Sequence, residues 1–427
     1  MAIPPMISML IQSMYNIVDS IFVAKISEEA LTALSLAYPL QNLSLACSVG
    51  LGVAINALVA KKLGANELEK ANNICDHGII LALFHSLIFV FIGLFLMKPF
   101  FLLFTNDSQV LKDAITYGSI VITFTFGSII HIAIEKMFQA TGEMIIPMFL
   151  QGIGAIVNII LDPILIFGIN GYLQLGVAGA AIATIIGQMT ACLLAIILFI
   201  KTSKLKISLK KMSFNLTTVK KIYYIGIPSG IMSALPSILV SLLNGMLASV
   251  SQSAIAFFGI YFKLQSFIYM PANGLIQGMR PLISYNFGAN KFNRLKQIIK
   301  ESLLCTGCIL AIGTVIFLLF PKLILSWFNA SAELYQIGII GLMIIAPSFI
   351  CSTFGVVTSG VFEALGNGRN SLIISLLRQF IITIPLSFIL LKLFNIDGIW
   401  AAFVIAETIA SVIAIILLKR CFVKLKI

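Results

Sequence analysis

Two acidic side chains lie inside long apolar segments of this sequence, where a carboxylate has chemical consequences. Asp162 follows Asn158 by four residues, so the carboxylate and the carboxamide share one face of a helix. Pro163 comes next, which favours a bend and leaves the carbonyl of Ile159 without its helical donor. Asp19 stands in the middle of another apolar segment. Insertion of an Asp at the centre of a membrane helix costs about 2.5–3.5 kcal/mol of free energy. The presence of these acids in apolar segments therefore indicates an ion or proton site.

Structural roles stay open for these acids and for two others. Asp162 alternatively caps a kink as a neutral acid, and Asp19 alternatively acts as a hydrogen-bonded strut between helices. Glu135 stands beside Lys136 at a predicted cytoplasmic edge, which favours an interfacial role. Glu407 lies mid-segment and fits a functional role and a structural role equally well.

Polar residues in other apolar segments give a candidate substrate cavity. The candidate lining residues are Tyr15, Gln41, Asn42, Asn244, Gln265 and Asn273. Hydrogen bonds between helices explain the same residues as well as a cavity does. Lys263 either binds an anionic group or extends its ammonium group to the outer interface.

The elements that carry these residues follow from composition. Of the 427 residues, 59% are apolar and 10% are charged, and the mean hydropathy is +1.07. A soluble domain has about 45–50% apolar and about 25% charged residues, which excludes a soluble enzyme, a disordered chain and a fibrous repeat. The net charge of +12 indicates the positive loops that orient membrane proteins, and not nucleic-acid binding. Cys305 and Cys308 lie within an apolar segment, so we expect them to pack as small apolar side chains and not to form a redox pair or a metal site.

Twelve apolar segments of spanning length predict an all-α polytopic membrane protein. They lie near residues 3–24, 33–60, 78–97, 114–137, 145–168, 175–200, 222–250, 254–283, 302–325, 334–358, 370–391 and 397–420. With both termini in the cytoplasm, 20 of the 28 Lys and Arg residues fall in inner loops and tails, five in outer loops and three in spans. This asymmetry predicts that both termini are cytoplasmic.

The two halves of the chain are internal repeats. Residues 30–66 and 254–290 align without a gap at an offset of 224 and share nine identities, among them a Gly-Ala-Asn run. The basic stretch 201–221 separates a six-helix lobe at 1–200 from a second six-helix lobe at 222–427. Because each half has an even number of spans, the repeats are parallel, which is typical of a two-lobed transporter.

Several runs of residues resemble one known family. Residues 15–23 (YNIVDSIFV), the Gly-Ala-Asn at 64–66 and the Gln-Ala-Thr-Gly at 139–142 follow in its order. The most specific run is NIILDPILIFG at 158–168, followed by GVAGAAIAT at 176–184. The chain resembles the multidrug and toxic compound extrusion (MATE) family over essentially its whole length, and the MepA-like bacterial branch most closely.

The resemblance implies an antiporter that exports cationic, amphipathic compounds in exchange for H⁺ or Na⁺. By position, Asp19, Asn158, Asp162 and Thr184 match the family's cation-coupling site, with no metal beyond Na⁺ and no other cofactor. The NorM-like branch also carries acids in its seventh and tenth helices, whereas the predicted spans of this chain at 222–250 and 334–358 hold none, and the seventh has only Asn244. The resemblance also implies a monomer in the bacterial cytoplasmic membrane that contacts lipid and small organic cations.

Three other function classes are less consistent with the residues. A lipid-linked oligosaccharide flippase of the same superfamily needs a cationic cavity, and the spans hold only Lys263, Arg280 and Arg378 as bases. A membrane-embedded enzyme needs a nucleophile or metal set, and the three His residues form no such motif. A passive channel does not explain two repeats of which one holds the acids.

Overall fold

The computed structural model describes residues 1–168, 174–208, 213–328 and 332–425, without the side chains of residues 15–17, 20, 24, 28 and 425. The described residues are helical apart from short connections, and no β-strand occurs among them. Nine of the described helices are each long and apolar enough to cross a membrane, and one further pair, bent by 45°, is long enough when taken together. The longest of the nine, Gly368–Lys424, contains a break at Phe394 and Asn395 that divides it into two spans.

Together with the N-terminal helix Ile3–Ala24, these segments account for the twelve predicted spans. The first six are α1 Ile3–Ala24, α2 Glu28–Gly64, α3 Leu68–Phe95, α4 Ser108–Ala140, α5 Ile145–Phe167 and α6 Val177–Thr202. The second six are α7 Leu216–Ala248, α8 Gln252–Gly288, α9 Phe292–Leu319, α10 (Ala332–Ile345 with Pro347–Ala364), α11 at 368–393 and α12 at 396–425. Many extend past the predicted boundaries, because their polar ends continue the helix beyond the apolar run.

The repeat is visible in matching helix ends. The helices α2 and α8 each have 37 residues, and α3 and α9 each have 28. The hydroxyls of Ser27 and Ser251 accept hydrogen bonds from the amides three residues later, at 3.0 and 3.1 Å. After the helices, Asn66 and Asn290 adopt left-handed backbones with φ of 59° and 56°. A short polar side chain tolerates this conformation, so the shared Asn fixes the same turn twice.

The chain forms two compact units, Ile3–Gly230 and Ile231–Ile427. Each has its own apolar core, and in the second unit the rings of Phe257 and Trp400 meet edge to face at 5.1 Å. Large apolar side chains are also exposed along one face of α3, where Leu87, Phe91 and Leu94 are 68%, 57% and 60% exposed. An apolar face of this kind suits contact with lipid.

The stretch predicted as a basic linker, 201–221, is shorter as an irregular segment than the sequence suggests. The helix α6 continues to Thr202 and α7 begins at Leu216, and residues 209–212 lie outside the described part. The remaining backbone is bound to the start of α3. The amide of Ser208 donates to Asp76 Oδ1 at 2.7 Å, and the amide of Asn215 donates to His77 Nε2 at 2.9 Å. The described linker residues therefore belong to the first unit.

Candidate cation site

The site begins with a close approach of α5 and α6. A Cβ added to Gly187 would lie 2.6 Å from the carbonyl oxygen of Gly154 and 3.1 Å from the Cβ of Asn158. The two backbones are therefore in contact at this crossing, which only glycine permits. Asn158 lies one turn after Gly154, and Thr184 lies one turn before Gly187, so the crossing brings their side chains together.

Three predicted residues form one buried polar cluster at this crossing. Asn158 donates through Nδ2 to Asp162 Oδ1 at 3.3 Å and to Thr184 Oγ1 at 3.4 Å. Asp162 is 0% exposed, Asn158 1% and Thr184 3%. These three side chains are therefore shielded from the protein surface. The two hydrogen bonds of Asn158 are near the long end of the normal range of distances.

Asp19 completes the cluster from α1, which packs along α5. Its carboxylate interacts electrostatically with that of Asp162. Among the described residues, neither carboxylate forms an ion pair with Lys, Arg or His. Two buried carboxyl groups thus lie near each other, and no cationic side chain of the described part of the chain pairs with either.

The cluster contains oxygen atoms without a donor. Asp19 Oδ1, Asn158 Oδ1 and Asp162 Oδ2 are buried and accept no hydrogen bond from the described residues. A buried acceptor without a partner costs about 1–3 kcal/mol, and more when it is charged. Carboxylate, carboxamide and hydroxyl oxygens are also the ligands that hard cations take. A proton on a carboxylate or a bound Na⁺ would satisfy these atoms, whereas an anion would not.

The predicted cavity residues are distributed over both units. In the first unit, Gln41 of α2 donates to the hydroxyl of Tyr117 in α4 at 3.3 Å, and Asn42 also has an interaction partner. In the second unit, Asn244 Oδ1 is buried without a hydrogen bond, Gln265 is half-buried and Asn273 is exposed. The side chain of Tyr15 lies outside the described residues.

The charged residues with open roles mostly form ion pairs. Glu135, predicted at a cytoplasmic edge, is enclosed in the first unit, where Lys136 Nζ lies 2.9 Å from its Oε1. Gln139 bonds to both, at 2.7 Å to Glu135 and 3.0 Å to Lys136. Glu407 pairs with Arg378 of α11, with both donor–acceptor distances at 2.7 Å. Lys263 is exposed.

Sequence reasoning missed one further ion pair, between Arg280 of α8 and Glu363 of α10, whose Nη2–Oε2 distance is 2.5 Å. The prediction that the tenth helix holds no acid is therefore wrong, because this helix continues past the predicted end at 358 to Ala364 and includes Glu363. A signal existed in the repeat. At the offset of 224, Arg280 aligns with Asn56 and Glu363 aligns with Gln139, so polar residues occupy both positions in both halves.

Comparison with known proteins agrees with this structure. The MatE family model matches residues 4–164 and 228–389, once in each half. The multidrug export protein MepA of Staphylococcus haemolyticus is 30% identical over 417 residues, covering 97% of this chain and 90% of that protein. MepA of Staphylococcus aureus is 28% identical over 420 residues, covering 97% of this chain and 91% of that protein.

The fold has counterparts among solved structures. An outward-facing structure of a multidrug resistance MATE family transporter of the MOP superfamily has a TM-score of 0.93 at 24% identity, covering 100% of this chain and 95% of that chain. A MOP superfamily transporter from Pyrococcus furiosus has a TM-score of 0.92 at 24% identity, over 100% and 95% of the two chains. The predicted fold of twelve helices in two six-helix repeats is confirmed. The chain belongs to the MATE family of multidrug efflux transporters, and is a multi-pass membrane transporter rather than an enzyme.

Proposed function

We propose that this protein is an antiporter that exports amphipathic, mostly cationic compounds in exchange for H⁺ or Na⁺. The coupling site is the cluster of Asp19, Asn158, Asp162 and Thr184. The observation that carries the proposal is that two carboxylates share a buried cluster without a cationic side chain among the described residues. Such a charge is costly unless an exchangeable cation neutralises it.

The chemistry of coupling follows from that cost. A proton or Na⁺ that enters from outside removes the uncompensated charge, and α1 then repacks against α5. Since an ion shifts an equilibrium only by its differential affinity for two states, the ion-bound and ion-free arrangements of α1 must differ. Alternating access results when that rearrangement is linked to release of the exported compound. The ion and the exported compound thus compete for binding to the protein in one of its two states.

The substrate class rests on the relatives and on chemistry. The similar proteins are named multidrug export proteins, and the polar candidates Gln41, Asn42, Asn244, Gln265 and Asn273, with Tyr15, supply neutral hydrogen-bonding groups. Neutral polar and apolar groups suit organic cations of varied shape. We further propose a monomer in the bacterial cytoplasmic membrane, with both termini in the cytoplasm.

The flippase alternative loses support from the ion pairs. A diphosphate group would need free basic side chains, yet Arg280 and Arg378 are paired with Glu363 and Glu407. Only Lys263 of the three in-span bases is exposed.

The test is the accumulation of a fluorescent lipophilic cation in efflux-deficient bacteria that express the protein. We expect low accumulation with the wild-type protein and high accumulation with Asp162→Asn at equal membrane abundance. Asp113→Asn is the matched control, since this half-buried Asp accepts a hydrogen bond from Gln109 at 3.0 Å and lies outside the cluster. A protonophore or removal of Na⁺ then identifies the ion. Ion-dependent export that survives Asp162→Asn would exclude the proposed site.

A further inference from the structure

The second unit contains a buried ion pair between two helices, α11 and α12. Arg378 donates through Nε to Glu407 Oε2 and through Nη2 to Glu407 Oε1, both at 2.7 Å. The two side chains are only 11% and 12% exposed. Two parallel hydrogen bonds between a guanidinium and a carboxylate form a strong and directional pair. The charge on Glu407 is therefore fully met from within the chain.

Four helices of the second unit enclose this pair. A Cβ added to Gly355 of α10 would lie 3.1 Å from Arg378 Cδ, so the glycine provides room for the arginine stem. Tyr269 of α8 interacts electrostatically with both members of the pair, and its hydroxyl donates to Ser352 Oγ at 2.6 Å. The surroundings are thus shaped around the guanidinium.

The backbone of α11 is also modified at this point. Leu377–Ile381 forms one π-helical turn that includes Arg378, and the hydroxyl of Thr383 donates to the carbonyl of Arg378. Single π-helical turns are rare in proteins as a whole, and those that occur are frequently at functional sites. This turn changes the direction in which Arg378 leaves the helix relative to a regular α-helix.

The pair occupies the repeat equivalent of the candidate cation site. At an offset of 222, Pro163 aligns with Pro385 and Gly176 aligns with Gly398, so α11 and α12 correspond to α5 and α6. At this offset, the aspartate position 162 corresponds to Ile384. The second unit therefore lacks the carboxylate at that position.

The charged pair lies next to the equivalent positions. Arg378 falls two residues before the equivalent of Asn158, and Glu407 falls one residue after the equivalent of Thr184. The same helix crossing thus holds a cross-helix polar contact in both units. In the first unit the carboxylate has no cationic side chain among the described residues, and in the second unit it has one.

We propose that Arg378 supplies the second unit with a permanent internal cation at the place where the first unit takes an exchangeable one. Glu407 is thereby closed to ions, and ion uptake is confined to the first unit. This inference rests on the proposed ion coupling there. A guanidinium remains protonated and is tethered to the chain, so it cannot exchange with solvent. Without Arg378, Glu407 is a buried carboxylate that must take up a monovalent cation, H⁺ or Na⁺.

The test counts the ions bound by the purified full-length protein in detergent, with equilibrium binding of radioactive Na⁺ and with proton uptake measured by a pH indicator. We expect Arg378→Met to bind one more monovalent cation per chain than the wild-type protein. The double variant Arg378→Met with Glu407→Gln should return to the wild-type number. Lys263→Met is the matched control, because it removes one positive charge from an exposed position of the same unit.

The outcomes are separable from those of the proposed function. A wild-type count for a monodisperse Arg378→Met protein overturns the internal-cation proposal. Asp162→Asn should lower the number of bound cations by one, both in the wild-type protein and in the Arg378→Met protein. If the number does not fall, the first-unit site is rejected, and the comparison of Arg378→Met with the wild-type protein still decides this inference.

Stability gives a second readout if Arg378→Met folds poorly. We then expect its thermal stability to rise with Na⁺ concentration or with acidity, and the double variant to lack this dependence. Arg378→Gln serves as a second single variant. If both single variants aggregate at every Na⁺ concentration and pH while the double variant stays monodisperse, Glu407 accepts no cation and the inference is wrong.

Discussion

The carbonyl oxygen of Gly154 lies only 2.6 Å from the place that a Cβ on Gly187 would occupy. This contact sets the separation of α5 and α6. The hydrogen bonds of Asn158 to Asp162 and Thr184 are already 3.3 and 3.4 Å long. Any further separation of the helices would therefore break the bond from Asn158 to Thr184, which crosses between them.

Gly187→Ala should destabilise the protein and impair export. The alanine gains about 0.5–1 kcal/mol from helix propensity, but overpacking against a backbone carbonyl costs about 1–3 kcal/mol. Thermal unfolding in detergent and efflux of a fluorescent cation measure the two effects. Gly259→Ala in α8 is the matched control, because no heavy atom lies within 4 Å of its added Cβ. Equal unfolding temperatures for the two variants would show that α5 and α6 separate at no cost.

Thr184→Val should weaken ion coupling while it preserves the volume of the side chain. The change removes the oxygen that accepts from Asn158 Nδ2. Loss of one such contact at a buried site costs about 1–3 kcal/mol, so the ion concentration for half-maximal efflux should rise about tenfold. Thr184→Ser keeps the oxygen and should stay close to wild type. Impairment by the serine but not by the valine would point to packing rather than to the hydroxyl.

Lys136→Met should strongly destabilise the first unit. Lys136 and Glu135 are only 7% and 12% exposed, so the change strands a buried carboxylate. Removal of one partner from a buried pair costs about 3–5 kcal/mol, whereas removal of both charges costs much less. Glu135→Gln with Lys136→Met should therefore recover most of the unfolding temperature. Lys70→Met, which removes an exposed partner of Glu67, should change it little.

Asp76→Ala should release the described part of the linker from α3. The carboxylate accepts the amide of Ser208 at 2.7 Å, and a hydrogen bond to a charged group contributes about 1.5–3 kcal/mol. Trypsin cleavage after Lys204 and Lys206 in membranes should accelerate about tenfold or more, because cleavage follows local opening. Asp76→Asn keeps an acceptor oxygen and should be cut more slowly than the alanine variant. Equal cleavage of all three proteins would show that other contacts hold the linker.

The sequence predicted the twelve spans and the repeat because both depend on local patterns. Apolar length determines where a span lies, and the matched Gly-Ala-Asn runs predicted that the two halves fold alike. The structure adds the pair Ser27 and Ser251, which cap α2 and α8 in the same way. Span boundaries were less predictable, since polar helix ends such as 216–221 of α7 carry no hydropathy signal.

The candidate cation site was predictable only in part. The spacing of Asn158 and Asp162 placed them on one helix face, whereas Thr184 entered through the family resemblance and not through spacing. Their contact depends on the glycine crossing of α5 and α6, which no single-helix pattern contains. The pair of Arg280 and Glu363 was missed because its members lie 83 residues apart and neither has a charged neighbour at helical spacing.

The sequence by itself determined that this chain is a twelve-helix membrane transporter with two parallel repeats. A span is recognised from the hydropathy of about 20 neighbouring residues. The repeat is recognised from matched residues at a fixed offset, and the transporter class from runs that resemble one family, so neither depends on contacts between helices. Only the tertiary structure decided which buried charges are neutralised from within. Glu407 finds Arg378, 29 residues away, and Asp162 finds no cationic side chain among the described residues. Charge neutralisation requires contact within about 4 Å, and helix crossings decide which side chains reach that distance.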